Sequence, residues 1–270
     1  MSSIASRMAK TASPFARANL WASAVAAAGG TVSAGRFAVV ATFIAAEMVS
    51  GAWWRTDDYH GLWGENAAQS LTSIKQRRLA TATNSPTFTA DRGYTCDGVT
   101  NYIDTGFVPS THAVAMTLNS AHAEVYERTN VNSTASSLGV NSGSNRAIAV
   151  FPRDTGTVKV AANGGGAVYT LASGTSMGLT QFGRNGATTA DVYGAKNGVD
   201  LVQTSPHTAL GASLPSNSFY IGGTNLSGAL SFPRAASVGF VAYGAALSGA
   251  QRLARYNAVQ AWATAVGAQV

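Results

Sequence analysis

From Thr87 almost to the C-terminus, short β-prone runs alternate with Gly, Asn and Ser turns at the spacing of roughly ten residues expected of a two-sheet sandwich. The runs fall at residues 87–90, 101–105, 113–118, 123–128, 146–151, 157–161, 167–171, 177–182, 188–193, 199–202, 218–221 and 237–243. Asn141-Ser142-Gly143 and Asn163 followed by three glycines mark turns. Arg184-Asn185-Gly186-Ala187 and Lys196-Asn197-Gly198-Val199 are the clearest hairpin signals. The first firm strand follows Asp97-Gly98, a tight-turn dipeptide, and contains Tyr102, Ile103, Thr105 and Phe107. An 11% charged and 46% hydrophobic composition can build a core and is too apolar for a disordered chain.

The first 80 residues have a different grammar. Ser13-Pro14 reads as the start of a helix ending at Gly29-Gly30, and Ser33 as the cap of a second helix over 34–49. A weaker helix is expected over 65–79. Residues 1–80 therefore read as a helical module and residues 81–270 as the sandwich. Ser248 caps a last helix whose apolar stripe would be Leu253, Tyr256, Val259, Ala263 and Val266, with Arg252 and Arg255 facing away.

Three segments, two of them overlapping, carry a resemblance. Asp97-Gly98 leading into Asn101-Tyr102-Ile103-Asp104-Thr105-Gly106 resembles the opening strand of concanavalin A-like (laminin G-like) jelly rolls. Phe219 to Gly223, then Ala236 to Tyr243 and Ala246-Leu247-Ser248, resemble the closing strands of that fold, which lead into a terminal helix. The segment from Ala82 to Phe107, preceded by the helical stretch from Ala27 to Phe43, is similar to a group of bacteriophage and prophage virion proteins. The resemblance implies a mainly β fold: an antiparallel jelly-roll sandwich preceded by a small helical attachment module and closed by a C-terminal helix. It also implies a structural, non-enzymatic decoration or tail-associated protein, located on a virion assembled in the bacterial cytoplasm. A carbohydrate-binding adhesin recognising a host surface is the alternative reading.

Candidate chemistry is sparse. Glycosidases need two carboxylates flanking one bond. Glu124 and Glu127 are the nearest pair, but three residues apart on a strand they point to opposite faces. No catalytic residue is therefore assigned. His112 and His122 with Glu124, and Asp97, Asn101 and Asp104 as oxygen donors, are conceivable metal groupings with nonspecific spacing, so no metal and no cofactor is expected. The single cysteine, Cys96, excludes an intrachain disulfide. Arg7, Lys10 and Arg17 before the apolar run 20–26 superficially resemble a signal peptide, but the run is short and ends in glycines, so no cleaved leader is expected. Trp21, Phe37, Phe43, Trp53, Trp54 and Trp63 read as interface anchors, because Trp and other aromatics dominate hot spots. For Trp53, Trp54 and Trp63, packing of the helices on the sandwich is the plainer reading. An adhesin would instead expose an aromatic near the sandwich loops, such as Tyr169, Tyr193 or Tyr220. The sugar-contacting residues stay unassigned. The partners expected are other virion proteins, further copies of the chain and a surface glycan, with no nucleic acid and no membrane insertion: the net charge of +6 is scattered.

Overall fold

Ser13 and Ser33 start the first two helices as expected. In the computed structural model, which describes residues 12–172 and 174–270, the Ser13 hydroxyl accepts from the Ala16 N–H at 3.2 Å to open α1 (Pro14–Ala27). Ser33 does the same for Arg36 at 3.1 Å to open α2 (Ala34–Val49). One turn of helix, α3 (Ala52–Arg55), runs directly into β1 (Thr56–Gly61), a strand in a stretch read as a link between helices. The helix expected over 65–79 shrinks to α4 (Ala67–Leu71). The Asp58 carboxylate accepts the backbone N–H groups of Lys75 and Gln76, both at 3.1 Å, and draws this stretch out of helical geometry. Arg7 and Lys10 lie outside the described residues. Among those described, no helix is long and apolar enough to cross a membrane.

The strands follow in order: β2 (Thr81–Thr83), β3 (Thr87–Thr89), β4 (Gly93–Thr95), β5 (Tyr102–Asp104), β6 (Ala121–Glu127), β7 (Leu138–Asn141), β8 (Ala147–Asp154), β9 (Thr157–Ala162) and β10 (Ala167–Thr170). The series continues with β11 (Gly178–Arg184), β12 (Val192–Lys196), β13 (Val199–Asp200), β14 (Gln203–Ser205), β15 (Tyr220–Ile221), β16 (Thr224–Leu226), β17 (Ala229–Ser231) and β18 (Ser237–Gly244). A short α5 (Pro109–His112) lies between β5 and β6, and α6 (Gly249–Ala265) closes the chain. Sheet one has the order β13-β12-β11-β6-β18-β4-β3, with β1 also paired to β18. Sheet two has the order β14-β10-β9-β8-β7-β15-β5-β2, with β16 and β17 added beside β7. Among the described residues only the β16–β7 pairing is parallel. The chain is thus mainly β, two antiparallel sheets packed as a sandwich, with helices at the N-terminus and one at the C-terminus.

Turn chemistry explains some of this topology. Asn197 and Gly198 both have positive φ, 50° and 77°, and form the two-residue hairpin between β12 and β13 that the sequence signals. Asn185-Gly186 does not: β11 and β12 are separated by the longer segment 185–191. The Asp97-Gly98 turn joins β4 of sheet one to β5 of sheet two, so it is a crossing between layers rather than a hairpin. The run 113–118 is not a strand. The Asp57 carboxylate accepts the N–H groups of Val114, Ala115 and Met116 at 2.7–2.9 Å and holds it as a loop.

Two cores result. Between the sheets, Val125, Phe182, Val241 and Tyr243 face Leu138, Ile148, Val150, Val160 and Ile221. The outer face of sheet one is a second core, where Tyr126, Leu179, Phe240 and Ala242 are covered by Trp21 and Val25 of α1, Phe43 and Ile44 of α2, and Val259 and Trp262 of α6. Trp53, Tyr59 and Trp63 fill the space between. Gly61 and Gly239 allow the close approach: a Cβ at either would sit 2.2 or 2.3 Å from the Trp262 or Trp63 ring. The expected boundary at residue 80 therefore does not separate two bodies. β1 is hydrogen-bonded to β18, and the first two helices are one layer of the same packed unit.

Arg255 sits at the centre of that layer and is fully buried, which reverses the expectation that Arg252 and Arg255 face away. Its Nε donates to Glu47 Oε1 at 2.6 Å, and its terminal nitrogens to Glu124 Oε1 at 2.5 Å and Thr56 Oγ1 at 2.7 Å. Tyr59 donates to Glu47 at 2.9 Å, and His122 Nε2 lies 3.2 Å from Glu124. Burial alone would lower the pKa of Arg255, but the Glu124 and Glu47 carboxylates hold it above its ordinary value. Arg252 pairs with Asp200 of β13 at 2.7 Å, while Leu253, expected in the stripe, is exposed.

Three outcomes follow from this packing. Arg255→Met leaves Glu47 and Glu124 buried without their shared guanidinium and should cost about 3–5 kcal/mol in denaturant unfolding; a loss below about 1 kcal/mol would contradict the network's role. A chain starting at Thr81 should be molten or insoluble, since it exposes Tyr126, Leu179 and Phe240; a cooperative unfolding transition from it would show that the helices are dispensable. Acid should also weaken the fold. His60 is fully buried, without a hydrogen-bond partner, and burial pushes its pKa down to about 3 from 6.5. The unfolded chain therefore binds the extra proton between these values, so stability is complete above pH 6.5 and falls as pH drops toward 3, by about 1.4 kcal/mol per pH unit. His60→Leu should flatten this part of a stability–pH profile.

Candidate functional site

The two sheets differ in what covers them. Helices seal the outer face of sheet one, whereas the outer face of sheet two carries a groove. Alternation along β8 makes it: Ile148 and Val150 enter the inter-sheet core, so Ala147 and Ala149 point out, joined by Ala161 of β9. These small side chains floor a groove of about 340 Å³, within the range of small-ligand sites. Thr224 of β16 also lines it, and Gly139 of β7 leaves room for that side chain, because a Cβ there would lie 2.3 Å from Thr224 Oγ1.

Phe151 and Phe232 form one wall, edge to face with centroids 5.6 Å apart. Phe232 is 48% exposed and has φ of 51°, an uncommon conformation for a bulky residue and the kind of strain that collects at binding sites. Opposite, the Asn141–Arg146 turn supplies polar groups. Ser144 and Asn145 are exposed there with positive φ, and the Asn141 side chain accepts from the Gly143 N–H at 2.9 Å. Lys159 reaches the groove from β9, its ammonium 2.8 Å from Asp154 Oδ2. A larger hollow of about 690 Å³ opens beside the start of α6, but Ser248, Gln251 and Arg55 there are engaged. Ser248 and Gln251 cap each other's backbone, and Arg55 donates to Ala246 O at 2.5 Å and Ser120 Oγ at 3.3 Å.

The residues singled out by sequence lie elsewhere. Glu124 and Glu127 do point to opposite faces. Glu124 faces the helices, while Glu127 faces sheet two, where Arg234 grips it at 2.6 and 3.1 Å and Ser137 donates to it. Both are fully buried. Burial alone would raise the pKa of Glu124; Arg255 and His122 bring it below the ordinary value. His112 accepts from the Val108 N–H at 2.8 Å, and its ring lies against Phe107. His122 instead meets Glu124 and the Ala245 carbonyl. Asp97 takes the N–H groups of Val99 and Thr100, which draw its pKa down to about 2, and Asp104 takes that of Gly106. Among the described residues no three of His, Cys, Asp and Glu gather into a metal-binding group. Cys96 is buried, which pushes its thiol up to about 12.

Of the expected interface anchors, Trp21, Phe43, Trp53 and Trp63 are buried within the chain, so they are packing residues. Phe37 is half-buried against Phe15, and Trp54 is exposed with Arg17 over its ring. Tyr169 and Tyr220 are buried. Tyr193 is half-buried, accepting from the Leu247 N–H at 3.0 Å beneath Arg252. Among the described residues of the sandwich, residues 81–270, the exposed aromatic is Phe232 instead. Its only sequence signal is its place in a turn after β17, and the alternation of small Ala147 and Ala149 with Ile148 and Val150 is the signal that marks the floor.

No family model and no curated protein matches the chain. Solved structures do. Domain 4 of the extracellular arabinanase AbnA from Geobacillus stearothermophilus, in complex with arabinotriose, is 11% identical with a TM-score of 0.47, over 74% of this chain and 97% of that one. Trypanosoma rangeli sialidase is 10% identical with a TM-score of 0.44, over 83% of this chain and 39% of the sialidase. Domains LG4-5 of the mouse laminin alpha1 chain are 19% identical with a TM-score of 0.33, over 52% and 36%. All three TM-scores lie below 0.5, so the sandwich rests on the two sheets described above. The expectation that the chain is not an enzyme is corrected: an arabinanase domain and sialidases are among its structural neighbours. At such identities the likeness is one of fold and assigns no activity.

A variant addresses the groove directly. Phe232→Gly removes an exposed ring and relieves a left-handed backbone conformation, so it should leave stability within about 1 kcal/mol of the parent or raise it. A loss above about 2 kcal/mol would show that Phe232 serves packing rather than a surface function.

Proposed function

We propose that the chain is a lectin-like component of a phage or phage-like particle, and that its groove on sheet two recognises a surface glycan. The observation that carries the glycan reading is the groove itself: an uncovered sheet face with a flat floor of small residues, an exposed aromatic wall and a neutral polar rim. Sugars present C–H faces and hydroxyl edges, and such a surface offers an apolar platform beside donors and acceptors. The particle reading rests on the resemblance of residues 82–107 and the preceding helical stretch to virion proteins.

In this reading the helical layer attaches the chain to other particle proteins and to further copies of itself. A cleft of about 260 Å³ between α2 and α6 is lined by Ala38, Val39, Ala46, Ala258, Ala261 and Ala265, and small side chains let another backbone approach closely. Phe15, Leu20 and Trp54 remain exposed nearby in sequence on the N-terminal elements. The sandwich would then be displayed outward with sheet two free.

The test is glycan binding by the intact chain, compared with Ala147→Trp, which fills the groove from its floor. Binding by the parent that weakens about tenfold or more in the variant is the expected result. Binding that is indifferent to Ala147→Trp would place recognition elsewhere, and no binding across a broad glycan panel would refute the reading.

A further inference from the structure

The charges around the groove say which glycans fit it. The groove's lining contains one charged side chain, Lys159. That ammonium is compensated: Lys159 Nζ lies 2.8 Å from Asp154 Oδ2, and Asp154 is only 4% exposed, so the pair is anchored from below. Register fixes this arrangement. Lys159 sits opposite Phe151 on β8, and Asp154 closes the same hairpin opposite Thr157. The nearest arginine in sequence to the rim, Arg146, turns its guanidinium back onto its own turn, donating to Ser142 O and, at 3.2 Å, to Gly143 O. Recognition of a carboxylate or sulfate calls for an uncommitted cation, best a guanidinium placed for two parallel hydrogen bonds. Among the described residues the groove offers none. It offers amide and hydroxyl groups on Asn141, Ser144 and Asn145, and an ion pair that can both donate to and accept from hydroxyls.

Resting on the reading of this groove as a glycan site, we infer that its ligands are neutral oligosaccharides, and that the Lys159–Asp154 pair excludes acidic ones by cancelling the only charge that could hold them. An acidic sugar would meet an ammonium whose charge Asp154 already cancels, and drawing Lys159 away would leave that nearly buried carboxylate without its cation, which opposes binding. A neutral sugar disturbs nothing.

The experiment compares neutral hexose and pentose oligosaccharides with uronic-acid and sulfated oligosaccharides of equal length, by calorimetric titration of the full chain. The parent should bind neutral ligands at least about tenfold tighter, with little dependence on salt. Asp154→Asn, checked for folding by circular dichroism, should raise affinity for the acidic set several-fold, because it frees Lys159. Acidic ligands that bind the parent as tightly as neutral ones, and lose binding in Ala147→Trp, would overturn this inference while leaving the glycan site standing. An Asp154→Asn chain that folds and gains nothing for acidic ligands would also overturn it. If neither class binds the parent, the inference and the glycan reading both fail.

Discussion

Arg255 ties together parts of the chain that lie far apart in sequence. It reaches from the last helix to Glu47 on the second helix, to Glu124 on the central strand of sheet one, and to Thr56 at the start of β1. Every partner is buried. Such a cluster gains little over an apolar core of the same volume, but it is unforgiving of the wrong arrangement, because any misplaced element strands a charge. It therefore fixes the register of the helical layer against sheet one. The aromatic packing of Phe43, Tyr59, Phe240 and Trp262 around it supplies the burial.

That sealing makes the two faces of the sandwich unequal. Sheet one is consumed by intramolecular packing, so function must be carried by the helices' outer surface or by sheet two. Sheet two has the groove, and its features depend on strand alternation: a floor of Ala147, Ala149 and Ala161 is the outward complement of the Ile148, Val150 and Val160 that fill the core. The same hairpin brings Lys159 to Asp154 and Phe151 to Phe232. Core and site are two faces of one pair of strands, and the Arg234–Glu127 pair braces the neighbouring 131–135 loop from the core side.

What the sequence disclosed was what local chemistry determines. Serine caps at Ser13, Ser33 and Ser248, the Asn197-Gly198 turn, and most long strands are all set by residues within a few positions of each other. What it hid depends on distant partners. Thr56-Asp57-Asp58-Tyr59-His60-Gly61 is too polar to read as a buried strand; it pairs with β18 as one because Asp57 and Asp58 each take backbone N–H groups from loops further along the chain. Arg252 and Arg255 read as solvent-facing because helical periodicity sends charges outward, and Glu47 lies 208 residues from its partner. The anchors Trp21, Trp53 and Trp63 were legible as important, but whether they bury against this chain or another could not be told from spacing. The groove left almost no trace, since alanine and glycine announce neither a core nor a ligand.

Sheet two is the proposed recognition face. Its most direct test is a residue-resolved NMR titration of the intact chain with the best-binding oligosaccharide of a neutral panel. Amide shifts should concentrate in residues 141–151, at Lys159 and Ala161, and around Phe232, leaving the helices unchanged. Shifts confined to the hollow beside the start of the last helix, or to the cleft between the helices, would contradict it.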